Sequence, residues 1–219
     1  NNPTGKVFRP TELRLLADLC TDHGAVAVTD EIYEHILYDG HRHVSLASLD
    51  DMGERTITIN GLSKTYSATG WRVGWAIAPA PLASAMRRTH DFLTVGAPHP
   101  LQIAAVAALS LPESYYTDLA ESYRAKRDRF VRGLQAAGLD CRAPDGAYYV
   151  MTDISPFPFS DDWAFAMYLV ERLRVAVVPG SSFYGNPADG ARFVRFNFSK
   201  KDVTLEDALS RLDGLRDLR

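Results

Sequence analysis

The chain has 219 residues, of which 46% are hydrophobic and 23% charged, with a net charge of -3. This composition excludes a disordered or fibrous protein, and the length suffices for one large or two small globular domains. The charge gives no reason to expect nucleic acid or an anionic membrane as a partner, and no apolar stretch approaches the roughly 20 residues that span a bilayer. Two cysteines are too few for a disulfide framework or a metal site, which favours the cytoplasm.

Helix and strand patterns alternate along the first half of the chain. Apolar residues at Leu13, Leu16 and Cys20 have helical spacing and predict a helix over 10–20. Short apolar runs predict three strands, over 25–30, 56–60 and 72–78. Two longer stretches are predicted to be mainly helical, 81–109 and 113–137. Strands separated by helices or long connections indicate an α/β sheet with helices on both of its faces.

The pattern changes near residue 120, where a smaller unit of helices and strands follows. Strands are predicted over 147–152, 175–178 and 192–198. In the last of these, Phe193, Arg195 and Asn197 share one face, and Val194, Phe196 and Phe198 share the other. Two further helices have one apolar face each, marked by Trp163, Ala166, Val170 and Leu173 and by Leu205, Ala208, Leu209, Leu212 and Leu215. Thr204 and Asp207 approximate a capping box for the last helix. We therefore predict a domain boundary near residue 120, with a smaller α+β domain after it.

Lys64 is the first candidate for a chemical role. It follows the apolar strand 56–60 among small residues, whereas the other lysines lie in polar or charged stretches. Partial desolvation favours the neutral amine, the form that attacks a carbonyl. Asp30 ends the strand 25–30, and ligands gather at the carboxyl ends of parallel strands. With Arg72 as a phosphate anchor, these residues suit pyridoxal phosphate, which needs a lysine, a carboxylate and a cationic cradle.

Four motifs follow one another along the chain: Asn2-Pro-Thr-Gly5, Asp30-Glu-Ile-Tyr33, Ser63-Lys64 with Gly70-Trp-Arg72-Val-Gly74, and Phe193-Val-Arg-Phe-Asn-Phe-Ser199. On these motifs the chain resembles the class I and II aminotransferases of the type I pyridoxal-phosphate fold. Within that family, three segments look most like the kynurenine, glutamine and methionine branch: Tyr38-Asp-Gly-His, Ser67-Ala-Thr-Gly-Trp and Val178-Pro-Gly-Ser-Ser-Phe-Tyr184. The resemblance implies the carboxyl-terminal portion of such a protein. Residues 1–120 would then complete a large mixed-sheet cofactor-binding domain, including the linking helix, and residues 121–219 would form the small domain.

The resemblance also implies roles at the cofactor ring. Lys64 would form the Schiff base with the cofactor aldehyde and then carry the proton between the substrate carbon and the cofactor. Asp30 would pair with the pyridinium nitrogen. Asn2 and Tyr33 would hydrogen-bond the phenolic oxygen, and the Asn2-Pro3 peptide would be cis. Lys64, Asp30 and Tyr33 are thus the catalytic candidates.

Further roles concern the phosphate and the substrate. Ser63 and Arg72 would hold the cofactor phosphate, although Gly61 stands where many relatives carry a serine that contacts it. Arg195 would bind the α-carboxylate of the substrate with two parallel bonds. Gly70 and Gly74 are expected where the backbone approaches closely or turns. Four aromatic residues would either line the core or close over the substrate side chain: Tyr148, Tyr149, Phe183 and Tyr184.

The implied activity is transfer of an amino group from an aromatic, sulfur-containing or glutamine-like L-amino acid to a 2-oxo acid, by a cytoplasmic homodimer. No metal, nucleic acid or membrane is expected to take part. Two alternatives stay open at this point. One is a cofactor-dependent β-lyase that acts on cysteine conjugates, and the other is an aminotransferase-like ligand-sensing domain of a transcriptional regulator.

Overall fold

The computed structural model describes residues 1–218 and divides them into two compact units. The Lys64 unit comprises residues 7–35 and 42–119. The Arg195 unit comprises residues 1–6, 36–41 and those from Ala120 onwards. Assignment of residues 1–120 to a cofactor-binding domain and of 121–219 to a small domain stays a prediction.

Both units contain helices and strands. The helices are α1 (Pro10–Asp22), α2 (Ala80–Thr94), α3 (His99–Leu109), α4 (Glu113–Ala136), α5 (Asp162–Tyr168) and α6 (Asp202–Leu212). The strands are β1 (Ala27–Asp30), β2 (Thr56–Gly61), β3 (Gly74–Ile77), β4 (Asp140–Cys141), β5 (Tyr149–Asp153), β6 (Val178–Pro179) and β7 (Phe193–Asn197). None of the helices that the structure describes is both long and apolar enough to cross a membrane.

The Lys64 unit is built on a three-stranded sheet in the order β1-β2-β3. β1 and β2 are parallel, and β2 and β3 are antiparallel. Leu13 and Ala17 of α1 pack with Ala27, Leu46 and Met52 into one buried cluster. Because residues four apart share a helix face, Leu13 and Ala17 turn inward together, while Leu16 is 38% exposed.

The predicted helix 81–109 is interrupted. α2 ends at Thr94, and α3 begins at His99. Between them, Val95 has a left-handed backbone with φ of 62°, and Pro98 precedes α3. A proline disfavours helical geometry in the residue before it, which explains why the helical pattern divides here.

The Arg195 unit contains a four-stranded sheet in the order β4-β5-β7-β6, with each neighbouring pair antiparallel. Val194, Phe196 and Phe198 are buried, and the residues between them are half-buried, which confirms the alternation predicted for 192–198. Phe130 of α4 packs against Phe196 with ring centroids 6.0 Å apart. The inward face of β7 therefore builds the core, and its other face carries Arg195.

The capping box predicted for the last helix is wrong. The amides of Thr204 and Leu205 both donate to the carbonyl of Lys201, at 3.0 and 3.1 Å. α6 therefore starts at Asp202 with Lys201 as its N-cap, and Thr204 lies inside the first turn. The predicted strand 175–178 is also shorter than expected, since only Val178 and the following Pro179 pair with β7.

The buried guanidinium of Arg127 connects residues 36–41 to the rest of the Arg195 unit by hydrogen bonds. Arg127 is 4% exposed, and its guanidinium donates to the Asp39 carboxylate at 2.6 and 3.1 Å and to the Pro144 carbonyl at 3.2 Å. The same group lies 4.6 Å from the centre of the Tyr38 ring. A buried charge is tolerated when it is paired and hydrogen-bonded in this way.

Candidate active site

Lys64 lies in the loop 62–73, which connects the antiparallel strands β2 and β3. Its side chain is half-buried. Gly61 and Gly74 form the last residue pair of the two strands and close the loop at its base. The lysine is thus held a few residues beyond the carboxyl end of β2, as the sequence predicted.

Hydrogen bonds within the loop fix the backbone on both sides of Lys64. The Thr69 hydroxyl donates to the Ser63 carbonyl at 2.7 Å, and the Tyr115 hydroxyl donates to the Thr65 carbonyl at 2.8 Å. Thr65 is buried, at 2% exposure. Because the residues before and after Lys64 are both anchored, the direction in which its side chain leaves the loop is restricted.

Arg72 adopts a left-handed backbone, with φ of 54° and ψ of 45°. This conformation costs a residue with a Cβ about 1–2 kcal/mol, and such strain is typically retained at functional sites. The guanidinium is exposed and donates to the Thr69 carbonyl at 2.9 Å. The strained backbone therefore presents a cation at the same loop that carries Ser63 and Lys64.

The two glycines at the base of the loop allow the strands to approach closely. A Cβ built on Gly61 would lie 2.9 Å from the Val73 carbonyl oxygen, and one on Gly74 would lie 2.8 Å from the Asn60 carbonyl oxygen. The expectation for Gly74 is confirmed. At Gly70 nothing lies within 4 Å of a Cβ, and the chain turns there through the short helix Thr69–Trp71. The tight strand pairing accounts for a glycine at position 61.

We expect Gly61→Ser to lower the free energy of unfolding by about 1–3 kcal/mol, the usual cost of overpacking. The reason is that a Cβ at position 61 meets backbone, which cannot move aside as a flexible side chain could. Chemical denaturation of the variant measures the loss. Gly70→Ser is the matched control, since its Cβ meets open space. Equal stability of the two variants would contradict the prediction.

Asp30 ends β1 beside β2. The parallel register pairs Asp30 with Ile59, so the carboxyl ends of both strands lie at one edge of the sheet. The Asp30 side chain is exposed, and its Oδ1 accepts a hydrogen bond from the Ile32 amide at 3.2 Å. The half-buried Tyr33 follows in the turn that leaves β1.

Arg195 contacts two aromatic rings of its own unit. Its guanidinium carbon is 4.2 Å from the centre of the Tyr149 ring and 4.8 Å from that of the Phe183 ring. It also donates a hydrogen bond to the Asn2 side-chain oxygen. The peptide between Asn2 and Pro3 is cis, which confirms the expectation. Two of the four aromatic residues predicted to line the core or the substrate, Tyr149 and Phe183, thus contact the arginine.

The two units therefore divide the candidate residues. The Lys64 unit contains Asp30, Tyr33, Ser63, Lys64 and Arg72, and the Arg195 unit contains Asn2 and Arg195.

Comparison with known proteins identifies the family. The family model described as "Aminotransferase class I and II" matches residues 1–212. The chain belongs to this family. A probable N-succinyldiaminopimelate aminotransferase DapC of Mycobacterium tuberculosis is 38% identical, over 98% of this chain and 56% of that protein. The human kynurenine–oxoglutarate transaminase 1 is 36% identical, over 94% of this chain and 54% of that protein.

A solved structure agrees with these relatives. YbdL of Escherichia coli, reported to have a methionine aminotransferase function, superposes with a TM-score of 0.91 and is 32% identical, over 98% of this chain and 56% of that one. This aminotransferase chain thus spans little more than half the length of the proteins that it matches. The type I pyridoxal-phosphate fold expected from the sequence is confirmed.

Class I and II aminotransferases are pyridoxal phosphate enzymes. The donor set of this aminotransferase fits that cofactor. Lys64 supplies an amine, Asp30 an exposed carboxylate and Arg72 an exposed guanidinium, all in the Lys64 unit. These are the three chemical groups that the cofactor's aldehyde, ring nitrogen and phosphate require.

No role was predicted for Glu31, His43 or Asn60. Ligand atoms of Glu31, His43 and Glu34 lie within 4.8 Å of one another, and these carboxylates already accept hydrogen bonds from protein groups. Glu31 is part of the motif Asp30-Glu-Ile-Tyr33, but nothing in the sequence indicated that its carboxylate is buried. Nothing in the sequence spacing of His43, Ser45 and Asn60 predicted that they contact Glu31.

Proposed function

We propose that the full-length protein is a pyridoxal-phosphate-dependent aminotransferase, which transfers the amino group of an L-amino acid to a 2-oxo acid. The observation that carries the proposal is the parallel register of β1 and β2. It pairs Asp30 with Ile59, at the edge of the sheet from which the Lys64 loop departs. Ligands of open α/β sheets bind at such an edge.

Residues of the Lys64 unit hold the cofactor and move the proton. When bound, pyridoxal phosphate supplies an aldehyde and an electron-accepting ring. Lys64 would hold that aldehyde through Nζ and would take the proton from the substrate α-carbon. Asp30 keeps a proton on the ring nitrogen. Tyr33 donates a hydrogen bond to the phenolic oxygen.

The phosphate anchors act beside these residues. The Ser63 hydroxyl and the Arg72 guanidinium bind the phosphate oxygens, and the arginine does so with fixed charge at every physiological pH. The tight Gly61–Gly74 pairing leaves position 61 without a side chain, so its contribution is limited to the backbone. Phosphate binding at this loop therefore depends on Ser63 and Arg72.

Residues of the Arg195 unit bind the substrate. Arg195 binds the α-carboxylate with two parallel charge-assisted hydrogen bonds. Its guanidinium carbon lies 4.2 Å from the ring centre of Tyr149 and 4.8 Å from that of Phe183, so both rings help to hold the arginine in place. Asn2 holds this arginine through its side-chain oxygen, and its side-chain amide would be the donor to the phenolic oxygen of a bound cofactor.

We propose aromatic, sulfur-containing or glutamine-like amino acids as donors. Relatives that act on kynurenine and on methionine support this class. We further propose that the enzyme is a homodimer of the cytoplasm. Exposed apolar residues of α2 and α3, including Phe92 at 93% and Ile103 at 58%, are consistent with a covered surface, and Cys20 and Cys141 are both free thiols.

Spectroscopy of the full-length protein tests the proposal. We expect a visible absorbance band when pyridoxal phosphate is added, and a change of that band when a kynurenine, methionine or glutamine donor follows. Addition of a 2-oxo acid should restore the original band, because the amino group is passed on. A protein that shows no band, or a band that no amino acid changes, would refute the transaminase.

Product analysis distinguishes the transaminase from the two alternative functions, a β-lyase and a ligand-sensing domain. Pyruvate and ammonia released from a cysteine conjugate without any 2-oxo acid would indicate a β-lyase. A cofactor that responds to amino acids but never turns over would indicate a ligand-sensing domain. Strict dependence on the 2-oxo acid, with the matching amino acid as second product, supports the transaminase.

A further inference from the structure

The Glu31 carboxylate is buried directly beside Asp30. It is 8% exposed and accepts three side-chain hydrogen bonds. The hydroxyls of Thr29 and Ser45 donate to its Oε1 at 3.0 and 2.9 Å, and His43 Nε2 donates to its Oε2 at 2.6 Å. A buried carboxylate held by three donors has little freedom to move, so Glu31 is a rigid point in this part of the Lys64 unit.

The backbone of Glu31 is held equally firmly. Its amide donates to the Ile59 carbonyl at 2.9 Å, and its carbonyl accepts from the Glu34 amide at 3.0 Å and from the Asn60 side chain at 3.3 Å. The Asn60 side chain also donates to the Glu34 carboxylate at 2.5 Å. The turn that follows β1 is thereby tied to the end of β2 at both of its glutamates.

Electrostatics favours the charged form of this anchor. Burial by itself raises the pKa of the Glu31 carboxyl, but the hydrogen bonds from His43 and Ser45 and the nearby His43 charge outweigh it, so that the pKa lies below its ordinary value. At neutral pH the carboxylate is therefore ionised and accepts from all three donors. An ionised, fully bonded group is costly to displace.

We propose that Glu31 is a positioning residue, which fixes the turn that presents Asp30 to the cofactor ring nitrogen and Tyr33 to the phenolic oxygen. Asp30 immediately precedes it, and Tyr33 lies inside the turn closed by the bond from Glu34 to Glu31. Misplacement by about 1 Å weakens a hydrogen bond aimed at a cofactor and lowers rate strongly. This inference rests on the proposed cofactor chemistry.

The anchor predicts a spectroscopic effect. The Tyr33 hydroxyl donates a hydrogen bond to the phenolate oxygen of the bound cofactor and stabilises its negative charge. Because the stabilised phenolate attracts the proton on the neighbouring nitrogen less strongly, that nitrogen loses its proton at a lower pH. If the turn is loosened, that proton is held more tightly. The pH midpoint of the bound cofactor's absorbance change should then rise, an effect that a residue important only for folding would not produce.

The experiment compares Glu31→Leu, Glu31→Gln and wild type at full length. We expect Glu31→Leu to raise the dissociation constant for pyridoxal phosphate about tenfold and the pH midpoint by about half a unit. Glu31→Gln should recover most of both effects, because its amide oxygen can still accept from Thr29 and Ser45. The exposed Glu54 provides the control Glu54→Gln, which makes the same change of charge and should behave as wild type.

Hydrogen exchange of the cofactor-free protein reads the turn directly. We expect the amides of 32–35 to exchange faster in Glu31→Leu than in wild type, with the rest of β1 unchanged. If Glu31→Leu does not fold, His43→Ala removes one donor from the half-buried edge of the cluster and should shift the pH midpoint in the same direction. Unchanged exchange and an unchanged midpoint in folded variants would overturn the positioning role.

The failure of this inference differs from failure of the proposed function. Wild type that binds the cofactor, together with Glu31 variants that behave identically, rejects the positioning role alone. Wild type that never binds pyridoxal phosphate rejects the cofactor chemistry, and the positioning role falls with it. Both readings come from the same titration.

Discussion

Lys64→Ala should abolish covalent attachment of pyridoxal phosphate and lower turnover by about 10⁴-fold, the upper end of what a positioned proton-transfer group contributes. The loss is expected because Nζ of Lys64 both binds the aldehyde and takes the α-proton. The loop itself should survive, since its anchors at Ser63 and Thr65 are backbone carbonyls. Alanine therefore removes the amine without removing the loop.

Borohydride reduction followed by peptide mass spectrometry provides a readout that is independent of activity. We expect the cofactor's mass on the peptide that contains Lys64 in wild type, and on no peptide of the variant. Lys200→Ala, at an exposed lysine, is the matched control and should retain both the label and the activity. Labelling at another lysine in wild type, or normal turnover of Lys64→Ala, would contradict the assignment.

Arg195→Lys should raise KM for the amino acid about 10- to 100-fold while the affinity for pyridoxal phosphate stays close to that of wild type. Lysine keeps the charge but loses the planar fork, so that one of two charge-assisted bonds disappears at a cost of roughly 1.5–3 kcal/mol. An ammonium also stacks poorly against the rings of Tyr149 and Phe183. The carboxylate is thus held less tightly and with less defined orientation.

Steady-state kinetics with a cofactor titration tests this second prediction. Arg192→Lys is the matched control, because Arg192 is exposed next to β7 and undergoes the same chemical change. It should leave both constants unaltered. An Arg195→Lys enzyme with unchanged KM would show that Arg195 does not bind the substrate carboxylate, whereas equal losses of cofactor and substrate affinity would indicate a general structural role.

Local patterns predicted those features that depend on near neighbours in the chain. The alternation along β7 predicted that Val194 and Phe196 are buried, because side chains of a strand point to opposite faces. The order of the four motifs predicted the family. Close approach at Gly74 was also expected, because a glycine in a strand often permits another backbone to come near. The capping box at Thr204 failed because the N-terminus of a helix is set by the first carbonyl that accepts, here that of Lys201.

By itself, the sequence determined which chemistry the chain carries: an amine at Lys64, a carboxylate at Asp30 and a guanidinium at Arg195, in an order that belongs to one family. The tertiary structure decided how these groups are held. It brought His43 and Ser45 to Glu31, and Tyr149 and Phe183 to Arg195. Such partners are distant in sequence, and their contacts depend on strand register and on burial, which no local spacing of residues encodes.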